Sequence, residues 1–405
     1  MALKNKKKIL VIGERFYPEE FLINDVVKHW EQLGYDIRVL TQFPTYPEGK
    51  IYKGYKNKLF KKDYYNSVVI HRFLSITGYK EKKYLKYLNY LTFVFIGSLR
   101  VLFLAPKIDI ILIYQTGPLT QAIPALLLKK IFHKKIIIWT WDLWPEAVYS
   151  YGFKRNKLNS YLLAHFVRCI YSSCDRILIS SPGFEKSLKK YCHGKQLEVV
   201  TNWIKPHDKP SSSLEIIFEP DKTHFIFAGN IGTAQNIDSL LRGYAKAKKS
   251  NSNICFHIVG DGSALESLKV LVKNNSIEDV FFWGRVSESD VYKFYDLADF
   301  LVISLNPDDA YDKYVPSKFQ TYLDVGKPIL CAMNGEVADL VIKYELGKVA
   351  HPDNLEEISS AFIELINTSA NEKKHILVTS KEVISTLFNR DINLNYLHKV
   401  ICDLS

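Results

Sequence analysis

The sequence predicts an α/β protein of two doubly wound domains, each a mostly parallel sheet covered by helices on both faces. Three observations predict it. The chain has 405 residues, more than one ordinary hydrophobic core accommodates and suited to two domains of about 200 residues each. Short apolar runs alternate with helix-length segments through the first half, and the alternation restarts in the second, as parallel strands joined by crossover helices require. Between the halves lies IKPHDKPSSSLE, polar and rich in Pro and Ser, the composition of a linker. The expected boundaries are 1–203 for the first domain, 204–222 for the linker, 223–371 for the second domain and 372–405 for C-terminal helices.

In the first half, Lys8–Gly13, Asp36–Thr41, Val68–Phe73, Asp109–Tyr114, Lys135–Thr140 and Arg176–Ser180 read as strands, with a helix over Glu20–Leu33. Each run is short, apolar and bounded by turn formers or charged residues. Pro44–Tyr65 mixes Lys, Tyr, Gly and Pro without periodicity, and is expected to be a long functional or mobile loop. Tyr84–Leu104 is the longest apolar stretch, interrupted by Lys86 and Arg100. Its uncharged run, Tyr87–Leu99, falls short of the roughly 18 residues a spanning helix needs. With Lys80, Lys82, Lys83 and Lys86 around its start, the stretch suits either a helix lying on an anionic membrane or a buried core helix.

In the second half, His224–Ala228, Ile254–Gly260, Val280–Trp283, Phe300–Ser304 and Ile329–Ala332 read as strands with helices between them. The last helical segments have no strand to feed and are expected to pack back on the first domain. Val315–Leu330, VPSKFQTYLDVGKPIL, predicts a helix whose start can hold an anion. Pro316 presets the entry φ and Ser317 can offer an oxygen to unpaired amides. The free N–H groups and the positive dipole end point outward, and Lys318 adds a full charge. Gly326 and Pro328 end the helix. An ordinary capped surface helix with a solvated lysine is the competing reading. Glycine turns follow three strands: AGNIG (Gly229, Asn230, Gly232), VGDG (Gly260, Asp261, Gly262) and WGRV (Gly284, Arg285). Glycine lets backbone approach a ligand closely. None of the turns is the dinucleotide fingerprint, and no P-loop motif is present, which disfavours NAD and P-loop chemistry.

Residues 1–200 hold 33 Lys+Arg against 15 Asp+Glu, and residues 201–405 hold 21 against 28. The basic first half points to an anionic surface or partner, lipid or nucleic acid. Six cysteines show no paired or His-flanked ligand spacing, so neither a disulfide framework nor a metal site is expected, and the thiols fit a reducing cytoplasm. The apolar segment Ile9–Ile12 is too short for a signal peptide core.

ERFYPEE near the start, VLTQFPTYPEGKIYKGY, WDLWPEAV, TNW, and then AGNIG, VGDG, WGRV, LAD and VPSKFQTYLDVGKPIL together resemble the two-domain (GT-B) glycosyltransferases of the family 4 type, which build bacterial surface polysaccharides. DLWPE and the PSK with its following GKP are the specific signals. The resemblance implies two Rossmann-like domains facing a central cleft and a nucleotide diphosphate sugar donor, UDP-linked by analogy, on the second domain. It further implies a lipid-linked saccharide acceptor on the first, retention at the anomeric carbon, no obligatory metal or cofactor, no nucleic-acid partner, and peripheral residence on the cytoplasmic face of the plasma membrane. Asp142 and Lys318 are then the candidate catalytic residues. Asn230, Gly232, Asp261, Arg285, Pro316, Ser317, Gln320 and Thr321 are the candidate donor-binding residues, with Arg15 a second candidate phosphate contact. The chain departs from the family where an Arg and a Lys usually grip the diphosphate: Asn230 and Gln235 stand near instead, and Lys313 and Thr321 occupy the positions of the usual glutamate pair. Lys318 is therefore left as the chief diphosphate cation. Asp142 can orient the acceptor hydroxyl or support the cationic sugar, or serve only as an N-cap of the following turn. Alternatives are a nucleotide-sugar 2-epimerase of the same architecture and a non-enzymatic protein binding anionic lipid or nucleic acid.

Overall fold

The structure, a computed structural model, describes residues 7–150, 153–204 and 216–404. It contains two compact units, one of residues up to Val200 together with those from Asp391 on, the other of Thr201–Arg390. Most of the expected linker, residues 205–215, lies outside the described residues.

In the first unit the strands are β1 (Lys8–Ile12), β2 (Asp36–Gln42), β3 (Phe60–Tyr65), β4 (Val68–Phe73), β5 (Ile110–Gln115), β6 (Lys135–Thr140), β7 (Arg176–Ile179) and β8 (Leu197–Val199). The helices are α1 (Leu22–Gln32), α2 (Lys83–Leu102), α3 (Ile123–Phe132), α4 (Glu146–Ser150), α5 (Lys157–Ser173) and α6 (Phe184–Leu188). The sheet order is β3-β4-β2-β1-β5-β6-β7-β8. The central strands β5 and β6 are almost wholly buried, which is why they read as continuous Ile-rich runs rather than alternating ones. Every described pairing is parallel except β3 with β4.

That exception corrects the expected loop over Pro44–Tyr65. Its last six residues form an antiparallel edge strand, joined to β4 through Asn66 at φ 52, the left-handed conformation asparagine tolerates in tight turns. Lys61 and Lys62 point to solvent along this edge, where charge discourages pairing with another chain. Asp63 turns back to the fully buried Arg72 at 2.8 Å. The rest of the loop is anchored: Glu19 Oε1 accepts from the amides of Thr45 at 2.8 Å and Tyr46 at 2.7 Å.

The second unit contains β9 (Thr223–Ala228), β10 (Ile254–Val259), β11 (Val280–Gly284), β12 (Phe300–Ser304), β13 (Ile329–Ala332) and β14 (Gly347–Val349). Its helices are α7 (Ile237–Ser250), α8 (Leu265–Asn274), α9 (Glu288–Leu297), α10 (Ser317–Val325), α11 (Glu336–Lys343), α12 (Leu355–Ile366) and α13 (Ala370–Leu387). All pairings in the order β11-β10-β9-β12-β13-β14 are parallel. One core fills each face, with Phe225, Phe256 and Phe362 on one side and Phe294, Phe319 and Tyr322 on the other. The final helix, α14 (Arg390–Asp403), belongs to the first unit, where Tyr396 donates to Glu198 at 2.5 Å. Of the two C-terminal helices expected there, α13 instead stays with the second unit, packed on α10 with Leu377 against Gly326.

Both sheets reverse their strand order once, between β1 and β5 in the first and between β9 and β12 in the second. The crevice outside the carboxyl ends of strands at such a switch point is where open α/β sheets bind ligands.

Candidate functional site

In the second unit the switch point gathers the glycine turns and the start of α10. Gly229 N donates to Val259 O at 2.9 Å, Ile231 N to Asp261 O at 2.9 Å and Gly260 N to Gly284 O at 2.7 Å, lacing the three turns side by side. Gly260 has φ +136, and a Cβ there would fall 1.8 Å from Gly229 O, so only glycine permits this approach. Below the turns, Tyr322 on α10 donates to Val302 O at 3.0 Å and takes the Ala228 amide at 3.4 Å. These bonds tie the helix to β9 and β12.

Lys318 reaches from the first turn of α10 into this cluster. Its Nζ stands 3.4 Å from the centroid of the Phe227 ring. A Cβ on Gly229 would lie 3.0 Å from Lys318 Cε and 3.1 Å from Nζ. Burial lowers the ammonium's pKa to about 7, and no carboxylate among the described residues pairs with it. A half-buried cation held only by an aromatic face and a glycine turn lacks an anion.

The other expected donor residues divide. Pro316 occupies the cap position of α10 rather than the first helical one and no side chain caps the helix; Phe319 N donates to Pro316 O at 2.9 Å, which leaves the Ser317 and Lys318 amides at the helix start. Gln320 is buried, and its amide nitrogen donates to Pro316 O at 2.9 Å and Ser317 O at 3.0 Å. It braces the turn from within instead of facing a ligand. Thr321 is turned to Ser317 O at 3.4 Å. Asn230 Nδ2 and Gly232 N both donate to Gln235 Oε1, at 3.2 and 3.0 Å, so these side chains shape the turn. Asp261 is exposed and folds onto the Gly262 amide at 2.7 Å; Arg285 is exposed.

In the first unit the switch point opens into a cavity of about 540 Å3. Glu14 and Arg15 follow β1, Thr116, Gly117 and Thr120 follow β5, and Asp142 follows β6; α2 supplies Lys86, Tyr87, Tyr90, Leu91 and Val94. Burial, with the Glu14 carboxylate adding to it, raises the Asp142 pKa to about 6, while Lys86 works the other way. The turn after Asp142 is closed by backbone bonds that include Ala147 N to Leu143 O at 2.8 Å and Val148 N to Pro145 O at 3.0 Å. Arg15 is engaged between Glu14 and Glu19, at 3.4 Å each, and donates to Thr45 Oγ1 at 3.2 Å. Its charge is neutralised inside the unit, which weakens it as a phosphate contact. Glu14 escaped the sequence reading, because nothing in ERFYPEE separates an acid at a strand end from a surface one.

Of the two readings of Tyr84–Leu104, a helix on a membrane surface or a buried core helix, full burial does not hold. α2 buries Asn89, Phe93 and Val101 but exposes Tyr84, Tyr87, Leu88, Leu91, Phe95 and Leu99 in one stripe at helical spacing, with Phe95 69% exposed. α3 packs against both α2 and α5, and α5 adds exposed Leu158, Tyr161 and Leu162. No described helix is long and apolar enough to cross a membrane.

One cluster of metal-ligand types exists among the described residues, His224, Cys255 and His257, all buried. Its ring nitrogens are already paired. Trp283 Nε1 donates to His257 Nδ1 at 3.1 Å, the two imidazoles bond at 3.0 Å, and His224 Nε2 reaches Glu219 O at 2.8 Å. The chain of bonds fits two neutral rings and leaves no imidazole lone pair for an ion.

Residues 210–381 match the family model described as glycosyl transferases group 1. An alpha-monoglucosyldiacylglycerol synthase of Streptococcus pneumoniae is 21% identical over 65% of this chain and 61% of its own length, so the chain spans less than two thirds of that relative. A putative colanic acid biosynthesis glycosyl transferase, WcaI of Escherichia coli, is 22% identical over 79% of this chain and 81% of its own. Among solved structures, trehalose-6-phosphate from E. coli bound with UDP-2-fluoro glucose gives a TM-score of 0.72 at 11% identity, over 98% of this chain and 99% of that one. That likeness shows the shared two-domain fold.

Proposed function

We propose that this chain, which carries a group 1 glycosyl transferase domain on the GT-B fold, is a retaining glycosyltransferase. It moves a sugar from a UDP-linked donor to a lipid-linked saccharide at the inner face of the membrane, in surface polysaccharide synthesis. The observation that carries this is the Lys318 ammonium, lodged at the Gly229 turn over the Phe227 ring without a carboxylate partner. A donor's diphosphate supplies the missing anion there, held also by the free amides at the start of α10.

As the bond from sugar to phosphate breaks, positive charge develops on the sugar and negative charge on the departing diphosphate. Lys318 and the α10 amides stabilise the latter more strongly in the transition state than in the ground state. In a same-face transfer the departing phosphate oxygen takes the acceptor's proton, so no protein nucleophile is needed. Asp142 holds the acceptor hydroxyl as a hydrogen-bond acceptor. With a pKa of about 6 it is mostly ionised at neutral pH. We propose that no metal is required, since Lys318 and the helix start supply the charge stabilisation a divalent ion would otherwise give.

The UDP part of the reading draws on the UDP-2-fluoro glucose in the structural neighbour. The lipid part draws on the diacylglycerol-directed relative and on the exposed stripe of α2 beside basic residues, which suits a headgroup interface. The test is a panel of nucleotide sugars screened by thermal shift, followed by turnover of the best donor. A UDP-sugar should raise the melting temperature more than its GDP or CDP counterpart. No stabilisation by any nucleotide sugar would sink the reading.

A further inference from the structure

The first unit's cavity has a polar floor that the transfer chemistry above does not use. Glu14 is 8% exposed. Its Oε1 is engaged by Arg15 at 3.4 Å and Asn89 at 3.5 Å, whereas Oε2 has no hydrogen bond among the described residues. That oxygen rests on Gly117, where a Cβ would come within 2.6 Å of it, so glycine is what admits the carboxylate to this position. Beside it, Thr116 Oγ1 and Thr120 Oγ1 are buried without a partner, and both line the cavity with Asp142. Two buried hydroxyls without a partner, next to a carboxylate oxygen without a hydrogen bond among the described residues, mark the place of a ligand rich in hydroxyl groups, because an unsatisfied buried hydroxyl otherwise carries a desolvation penalty.

The opposite wall is apolar apart from Lys86. Tyr87, Tyr90, Leu91 and Val94 of α2 face the cavity, and Tyr87 and Leu91 are also 62% and 51% exposed. The cavity wall therefore continues into the outer stripe. A ligand filling both ends has a polyhydroxylated head and an apolar tail.

We propose that Glu14, with Thr116 and Thr120, is the specificity determinant for the acceptor's sugar, binding its hydroxyls while the tail leaves over Tyr87 and Leu91. Glu14 accepts from two sugar hydroxyls through Oε2, and the threonines accept from or donate to their neighbours. This rests on the transferase reading, and its test is kept separate from donor binding.

Two amphiphiles with the same chain serve as probes below their micellar concentrations: dodecyl maltoside, with a sugar head, and dodecyl phosphocholine, without one. Binding to the full chain is followed through tryptophan fluorescence, Trp144 being a lining residue. The parent should prefer the maltoside by about tenfold to a hundredfold, the range for hydrogen bonds to a charged group. Glu14→Gln should erase most of that preference while leaving phosphocholine affinity within about twofold, and Thr116→Val should erase part of it. Leu91→Glu should weaken both probes together. A parent without head preference, or a Glu14→Gln variant that keeps it, overturns the proposal. A merely structural role for Glu14 would lower both affinities alike. Failure of every nucleotide sugar to bind, with head selectivity intact, would instead count against the transferase reading.

Discussion

Lys318→Met separates binding from stability, because the two should move in opposite directions. The Lys318 pKa falls from 10.5 to about 7 on burial, so at neutral pH the folded protein holds a charge that the unfolded chain hydrates more favourably. Linkage over that interval amounts to at most about 4 kcal/mol at pH 7, and roughly 1–3 kcal/mol once the partial exposure of the side chain is allowed for. Methionine keeps the length and apolar contact with Phe227 and removes the charge, so the second unit should melt several degrees higher. UDP-sugar affinity should meanwhile fall by about 1.5–3 kcal/mol, with turnover falling further, since the contact strengthens as the diphosphate leaves. The pH dependence has a definite sign. Bound diphosphate raises the lysine's pKa above its free value, so parent affinity is full below about pH 7 and is lost as pH rises toward the bound-state value. The assay is calorimetric titration of UDP-sugar at several pH values beside thermal melts of both proteins. A methionine variant that binds donor like the parent, or that is less stable, refutes the reasoning.

Two further outcomes follow. Vesicles with anionic lipid should bind the protein at low ionic strength and release much of it when salt rises to about 0.5 M, because exposed charges are screened. Phe95→Glu should weaken the residual, salt-resistant part, and equal binding of parent and variant would remove α2 from the membrane surface. The His257 pKa is lowered to about 3 by burial and by His224; a depressed folded pKa gives stability that is present above about pH 6.5 and lost as pH falls, so the unfolding free energy from urea titrations should decline below that pH, by up to about 2 kcal/mol at pH 5. His257→Leu should flatten this decline, and an unchanged slope would assign the acid sensitivity to other groups.

Strands β4, β6, β12 and β13 match their expected bounds residue for residue; β6, β12 and β13 do so because buried parallel strands are apolar runs with charged or turn-forming borders, and β4 through its Val-Val-Ile start directly after the Asn66–Ser67 turn. β8 and β14, of three residues each, are too short for any period to register, and β3 hides behind its lysines as an edge strand. Lys318 was legible because a Pro-Ser-Lys before a helical run states a helix start and a charge together. The bonds that occupy Arg15 and bury Gln320 come from residues far apart in sequence or from backbone geometry, and spacing carries neither. Glu14 illustrates the same limit most sharply: its importance comes from Gly117, more than a hundred residues later, which lies across the β1–β5 reversal.

The two switch points explain why these particular residues matter. A parallel sheet leaves a crevice only where neighbouring connections diverge to opposite faces, so a residue one or two places beyond β1, β5, β9 or β12 enters a crevice without any special local signal. Glu14 and Thr116 stand in that position in the first unit, and Gly229 in the second, where α10 brings Lys318 back toward β9. The first crevice holds the Glu14 and Asp142 carboxylates beside Arg15 and Lys86, and the second holds the Lys318 ammonium with no carboxylate paired to it among the described residues. Under the proposed function, a polyhydroxylated acceptor would meet the carboxylate oxygens of the first crevice, and a diphosphate the ammonium of the second. Lys318→Glu should therefore abolish UDP-sugar binding in calorimetric titration, because the second crevice then presents a carboxylate to the diphosphate, and a variant that binds like the parent would refute the assignment.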